Sequence, residues 1–404
     1  MKPQILLLAL VSNIAHAGPD EDALGKSAGY PLPTYISFPW ADQYKVAIHS
    51  NRAALSPHCL ITPSVNPLKL KRSSSEPAIT YTYQNQNLRV DDFMNRRRVT
   101  GLIVLKDDEV LVERYAYDRN SSHKMLGNSM AKTIVSLGIG IALKQGKIKS
   151  LEDVASKYVG ALKDTLYGET KLISLLRMSS GVKVTEDYTG NDDLARFHRI
   201  AGRTGTVDAL KTSTGRVEPE GSKFKYASFE TRVLALALEG ATGKPICDYI
   251  AENVWQPIGA EGSATWIYEN QKKEVAAEGD FSATLRDWAR LGYALSNDGV
   301  VNGNQVFDKE YILNMTDIKR QPRAFWPRVA TPYDGYGLHI WLLESASGKR
   351  RFYLQGIYGQ AVFIDPERKI VMVQTAVEKA PGGTGIIAEG WSLFKGVVTK
   401  YGNW

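Results

Sequence analysis

The stretch "VTGLIVLKDDEVLVERYAY", residues 99–117, sets two apolar, β-rich blocks on either side of Asp107-Asp108, a pattern that predicts a β-hairpin. Directly downstream, "SMAKTIVSLGIGIAL" is apolar on nearly every side from Met130 through Leu143, interrupted by Lys132, Thr133 and Ser136. A helix without a polar face is a buried helix. "LISLLRMSSGV", residues 172–182, reads as an amphipathic helix closed by Gly181, and "DYTGNDDLARFHRIAGRTG" as a loop followed by a short helix. "SFETRVLALALEGATGKPICDYIAENVWQPIGA" gives two helices separated at Gly243, with Ser228 and Glu230 placed for the first N-terminus. "SATLRDWARLGYALSNDGV" adds another, ending at an Asn-Asp-Gly turn.

The tail turns strand-like. "YGLHIWLLE" and "RFYLQGIYGQAVFIDPERKIVMVQTAV" carry alternating or continuous apolar runs broken by an Asp365-Pro366-Glu367 turn, and an amphipathic helix over about 386–400 would cover the resulting antiparallel sheet. Strands early, helices in the middle and strands late imply an α+β fold, an antiparallel sheet flanked by helices and assembled from both chain ends, with a mostly helical subdomain inserted. The expected boundaries are 92–150 and 271–404 for the sheet-plus-helix domain and 151–270 for the insert. Residues 18–91, rich in Pro, Ser, Tyr and Asn without sustained periodicity, read as an irregular arm.

The first 17 residues, "MKPQILLLALVSNIAHA", join a basic start, a short apolar run and an Ala-His-Ala cleavage pattern. They predict a signal peptide, a mature chain starting near Gly18, and a periplasmic or secreted destination. No later stretch approaches the roughly 20 apolar residues of a membrane span. At 404 residues and 43% hydrophobic, the chain can bury a large core. Its +7 charge comes from 50 basic and 43 acidic side chains spread along the length, which argues against a nucleic-acid partner. Cys59 and Cys247 read as packing thiols in preference to a disulfide. Oligomeric state is not legible.

Candidate chemistry begins with exclusions. "GKSAG" at Gly25 runs into "YPLPTY" without the strand and helix of a nucleophile elbow. The histidines lack ligand spacing, so no metal is expected, and His339, between apolar residues, reads as a core histidine. Ser-x-x-Lys occurs at Ser121, Ser129, Ser180, Ser222 and Ser392, but only Ser129 opens a buried helix. One turn apart, Ser129 and Lys132 share a face. A dehydrated lysine loses proton affinity and can act as base toward the hydroxyl. The competing reading is a cap at Asn128 or Ser129 followed by a solvated lysine. Tyr226 in "YAS", beside such an ammonium, would ionise more readily and relay a proton; alternatively it is a packing aromatic.

"NSMAKT", "YAS" and "GIYGQAVFIDP", in this order and spacing, resemble the motifs of serine hydrolases with the class C β-lactamase and penicillin-binding-like fold. "LIVLKDDEVLVERY", "ISLLRMSSGV" and "FSATLRDWARLGYALSNDGV" extend the resemblance over about residues 99–377, and it is greatest to the branch of 6-aminohexanoate-dimer hydrolases and related esterases. The resemblance implies Ser129 as nucleophile, Lys132 as base, Tyr226 as proton relay, and the amides of Ser129 and Ile357 as oxyanion hole. It further implies substrate contacts at Tyr188 in "EDYTGND", at Ser228 and at Tyr358, with a small ester or amide substrate and no cofactor. Two departures stand out. Gly356-Ile357 replaces the third motif's cation, which Arg350 or Arg351 could restore only if the strand register brought one to the cleft, and Ser228 replaces the commoner Asn. A D-Ala carboxypeptidase or β-lactamase, or a non-catalytic binding protein on the same scaffold, are the alternatives.

Overall fold

The computed structural model describes residues 17–35, 40–344, 348–382 and 384–404. The expected signal peptide, apart from Ala17, lies outside the described residues. The main sheet has eight strands in the spatial order Gly335–Tyr336, Trp341–Leu343, Arg351–Gln355, Ala361–Asp365, Ile370–Ala376, Val99–Lys106, Glu109–Tyr115 and Lys71–Arg72. All neighbours pair antiparallel except Lys71–Arg72, which runs parallel to Glu109–Tyr115. The predicted hairpin at Asp107-Asp108 is present, with Asp107 in the left-handed region at φ 54°. The central pair joins the two ends of the chain, Val104 standing opposite Met372.

Both faces of this sheet are covered, which explains why its central strands read as continuous apolar runs rather than alternations. Leu102, Val104, Phe363 and Met372 point to one core, shared with Leu393, Phe394 and Val397 of the C-terminal helix Thr384–Lys400. Their neighbours Ile103, Leu105, Val362 and Val371 point to the other, shared with helix Leu285–Ser296 and the apolar helix Ala131–Lys144. Close contact of Leu285–Ser296 with the sheet depends on Gly292, where a Cβ would lie 2.4 Å from Val371 Cγ1.

A smaller antiparallel sheet, in the order His58–Ile61, Ala264–Ile267, Phe281–Thr284 and Lys124–Leu126, lies at the foot of the apolar helix. Its first strand comes from the arm, which is more regular than its composition implies. The arm also forms helix Asp42–Ser50 and a hairpin of Thr80–Tyr83 with Gln86–Arg89. Its order comes from contacts with distant segments, and these leave no local periodicity. The helix expected over 172–182 covers only Leu172–Leu176, because the backbone turns left-handed at Met178, φ 54°. Helices Ser228–Thr242 and Ile246–Ile250 flank Gly243, which caps the first in the left-handed conformation.

Two features of these layers are open to measurement. Cys59 and Cys247 form a disulfide across 188 residues, joining the arm strand to helix Ile246–Ile250, which corrects their reading as free packing thiols. Both are buried, so packing and cross-linking are served by the same atoms. Thiol titration of denatured, unreduced protein should find no free sulfhydryl, and replacing both by Ser should cost about 3 kcal/mol of stability; two titratable thiols would refute the bond. Glu230 lies inside the helical layer, its Oε1 accepting from the Ser180 hydroxyl at 2.6 Å while Oε2 has no hydrogen-bond partner among the described residues. Burial pushes its carboxyl from 4.5 up to about 8. The folded state therefore keeps a proton that the unfolded chain sheds above pH 4.5, and stability falls as pH rises from there through about 8. Glu230→Gln removes that loss: its melting temperature should exceed wild type's at pH 8 by the equivalent of roughly 4 kcal/mol and converge with it below about pH 4.5. An unchanged gap across that range would contradict a buried protonated carboxyl.

Candidate active site

Strand Lys124–Leu126 delivers the chain into a tight turn. Gly127 N–H donates to the Phe281 carbonyl at 2.9 Å, Asn128 takes φ 48°, and a 3₁₀ turn over Asn128–Met130 leads into helix Ala131–Lys144. Asn tolerates the left-handed region better than most residues. Neither helical segment has a side-chain cap, so the Ser129 hydroxyl is not spent on the backbone in the manner of a capping residue. It accepts a hydrogen bond from Lys132 Nζ at 2.9 Å. Nor does Lys132 reach solvent: it is 2% exposed, and Nζ makes a second bond to the Glu278 carbonyl at 2.7 Å.

Burial lowers the Lys132 pKa to about 8, with Glu186 and Glu278 opposing the shift and Arg232 assisting it. Glu278 belongs to a charged network that motif spacing gives no hint of. Arg232, buried in helix Ser228–Thr242, pairs with both Glu269 and Glu278, and His198 lies between the same carboxylates at 3.2 and 3.4 Å. Burial opposes ionisation of Glu269, but Arg232 and His198 outweigh it and hold the carboxyl down at about 2. The ligand atoms of His198, Glu269 and Glu278 lie within 4.8 Å of one another, a spacing a metal could use. Arg232 already pairs with both carboxylates, so the donor set fits an ion-pair network better than a cation site.

The Tyr226 ring stands 5.1 Å from Lys132 Nζ and stacks on Trp341 at 5.9 Å with the planes 10° apart. Burial and the Glu186 charge raise its pKa, with the Ser129 hydroxyl opposing. The expectation of a readily ionised tyrosine is therefore corrected: dehydration outweighs the neighbouring amine, and Tyr226 is held as a neutral phenol. Ser228 is likewise engaged. Its N–H and hydroxyl both donate to Glu186, each at 2.7 Å, and Tyr188 O–H donates to the same carboxylate at 2.8 Å. Glu186 thus ties together the two segments carrying Tyr188 and Ser228. Its place two residues before the loop tyrosine is the one trace of this in the sequence.

Strand Arg351–Gln355 brings the third motif to the Ser129 turn. A Cβ on Gly356 would lie 2.5 Å from the Gly127 carbonyl, so only glycine admits this approach. Ile357 follows it into a cavity of about 520 Å³ lined also by Ser129, Lys132, Tyr188 and Ser228. Tyr358 does not line this cavity, contrary to its expected substrate contact. It is fully buried, stacked under Trp40 at 5.4 Å and edge-on to His49 at 5.1 Å, in the turn that joins Arg351–Gln355 to Ala361–Asp365. The two arginines are engaged elsewhere: Arg350 pairs with Asp298, and Arg351 is buried against Asp365 at 2.8 Å. His339 is the core histidine expected, bonded to Thr231 Oγ1 and the Leu176 carbonyl, each at 3.0 Å, with its pKa lowered to about 3 by burial and Lys132. Trp40 and Arg52, from the arm, also line the cavity. They are brought there by long-range packing, and nothing local marks them.

The chain is similar to several known proteins. A 6-aminohexanoate-dimer hydrolase of Paenarthrobacter ureafaciens is 27% identical over 292 residues, covering 68% of this chain and 71% of that protein. A Salmonella agona protein provisionally named a D-alanyl-D-alanine carboxypeptidase is 25% identical over 181 residues, 39% of this chain and 41% of its own. Among solved structures, a Bacillus anthracis protein provisionally named a 6-aminohexanoate-dimer hydrolase superposes with a TM-score of 0.78 at 21% identity, covering 90% of this chain and 96% of that one. EstCE1, a hydrolase with promiscuous acyltransferase activity, gives 0.59 at 15% identity, covering 74% and 94%. The beta-lactamase family model matches residues 87–383, and with that match over most of its length the chain belongs to the beta-lactamase family of serine hydrolases.

Proposed function

We propose that this protein cleaves a small ester or linear amide through an acyl-enzyme on Ser129. The observation that carries the reading is the Lys132 amine, dehydrated and 2.9 Å from the Ser129 oxygen. As a neutral amine Lys132 takes the hydroxyl proton while Ser129 Oγ attacks the carbonyl carbon. The amides of Ser129 and Ile357 receive the developing oxyanion. Tyr226, a neutral phenol, gives its proton to the departing alkoxide or amine and is reprotonated from Lys132. Water then repeats the sequence on the acyl-enzyme. Tyr188 and Ser228, joined through Glu186, form the substrate-facing wall.

The lack of a cation at the third motif favours this reading over a D-Ala carboxypeptidase or β-lactamase, whose substrates present a carboxylate there. Arg350 and Arg351, bound to Asp298 and Asp365, do not restore it. A non-catalytic scaffold is disfavoured, because binding alone would not require a lysine kept dehydrated beside a serine. Residues 1–17 are proposed as a cleaved signal peptide and the destination as periplasmic or extracellular. The Cys59–Cys247 bond supports this, since disulfides persist in oxidising compartments. No helix among the described residues is long and apolar enough to cross a membrane.

A fluorophosphonate tests the nucleophile. Its adduct should map to Ser129 by peptide mass spectrometry, and the labelling rate should rise with pH through about 8 as Lys132 loses its proton. Lys132→Ala should slow labelling roughly 10³-fold. An adduct at another serine, or labelling independent of pH and of Lys132, would overturn the assignment. Turnover of 4-nitrophenyl acetate and of a 6-aminohexanoate linear dimer should exceed that of nitrocefin; comparable nitrocefin turnover would favour the β-lactamase alternative.

A further inference from the structure

The family match begins at residue 87, yet the cavity takes part of its lining from the arm before it. The contact with most bearing on the chemistry is made by Arg52, in the 3₁₀ turn after helix Asp42–Ser50. The residue is 8% exposed, and its guanidinium grips Asp280 in a fork, Nε to Oδ1 at 2.7 Å and the second branch to Oδ2 at 3.2 Å, with the remaining nitrogen on Ser56 Oγ at 3.3 Å. Such two-point ion pairs fix orientation as well as charge.

Asp280 occupies a demanding place. It takes φ 55°, a left-handed conformation that a non-glycine residue holds only when its surroundings enforce it. On one side of it, the Glu278 carbonyl receives Lys132 Nζ at 2.7 Å; on the other, the Phe281 carbonyl receives the Gly127 amide at 2.9 Å. Between them Gly279 lies against Asn128, its Cβ position 3.9 Å from that backbone. One short turn thus sets both the amine and the backbone that presents the serine. The arm itself is anchored beyond Arg52 by pairing of His58–Ile61 with Ala264–Ile267, and before it by Trp40 on Tyr358.

We propose that Arg52 is a positioning residue of the active site: through Asp280 it fixes the turn that holds the Lys132 amine against Ser129 and keeps water from it. This rests on the reading of Ser129 as nucleophile and Lys132 as base. The groups bearing directly on that amine are Glu186, Glu278 and Arg232, with the Tyr226 ring at 5.1 Å and His339 neutral beside it. Arg52 is not among them. It acts through the Glu278 carbonyl, and a relaxed turn that admits water to the amine lets it hold its proton to higher pH.

The test measures fluorophosphonate labelling of the full chain against pH. In wild type the rate follows loss of the Lys132 proton. In Arg52→Met the rise should move to higher pH by about half a unit or more, with labelling at pH 7 slowed roughly fivefold. Arg52→Lys, which keeps a cation on Asp280, should fall between the two. Asp280→Asn, which leaves Arg52 in place and removes the anionic half of the clamp, should shift the profile in the same direction, and it decides the matter alone if Arg52→Met does not fold. A merely structural arginine would lower the melting temperature and leave the pH profile superimposed on wild type; superimposed profiles in the variants that fold overturn the proposal. Wild type failing to label at Ser129 is a different result, which removes the nucleophile assignment and this proposal with it.

Discussion

Dehydration of one amine is the constraint on which the rest of the site depends. Lysine ordinarily keeps its proton well past neutral pH, and the cheapest way to change that is to take its water away. Here that requires a helix with no solvent-facing side, so Ala131–Lys144 is apolar around its circumference and packed against helix Ser228–Thr242 within the larger core. The polar groups it carries are satisfied individually: Thr133 donates to the His339 carbonyl at 2.8 Å and Ser136 to the Leu338 carbonyl at 2.9 Å. What keeps Lys132 buried without an ion pair of its own is its pair of neutral acceptors, the Ser129 hydroxyl and the Glu278 carbonyl.

Keeping charge near such an amine without restoring its proton is a matter of balance. Glu278 and Glu269 are both paired with Arg232, with His198 between them; Glu186 and Glu278 still favour the ammonium, and burial outweighs them. Glu186 is moderated similarly by three donors from Ser228 and Tyr188. The neutral phenol of Tyr226 follows from the same logic, since a second ionised group in this dry volume would cost more than the cation–ring contact returns. The site is thus built from groups whose charges are committed elsewhere, leaving the serine and lysine as the uncommitted pair.

Much of this was legible in the sequence where the cause is local. Period-two burial with both faces covered makes Leu102–Leu105 and Val362–Ile364 continuous apolar runs, and these announce a central sheet whatever lies far away. The apolar helix after Ser129 is legible for the same reason. What escaped reading is non-local. Arg52 and Trp40 look like ordinary arm residues until Asp280 and Tyr358 are brought to them. Tyr358 was misplaced because it lies in the turn between two strands, where its direction is set by Trp40 and His49 of the distant arm. Helix Leu172–Leu176 stops early through a left-handed turn at Met178, a residue type carrying no such preference. Cys59 and Cys247 are joined across 188 residues, a distance over which sequence offers no geometry.

The central strand pairing has a consequence for the order in which the molecule comes into being. Val99–Lys106 finds its partner in Ile370–Ala376, so the sheet cannot close until nearly the whole chain has been synthesised. Until then the apolar helix has helix Ser228–Thr242 to pack on but lacks the carbonyls of Leu338 and His339 that satisfy Ser136 and Thr133, and Ile357 has not arrived. A partly made chain therefore carries every residue of Ser-x-x-Lys without the enclosure around them: the pocket is a late product of folding, complete only when the last strands are in place.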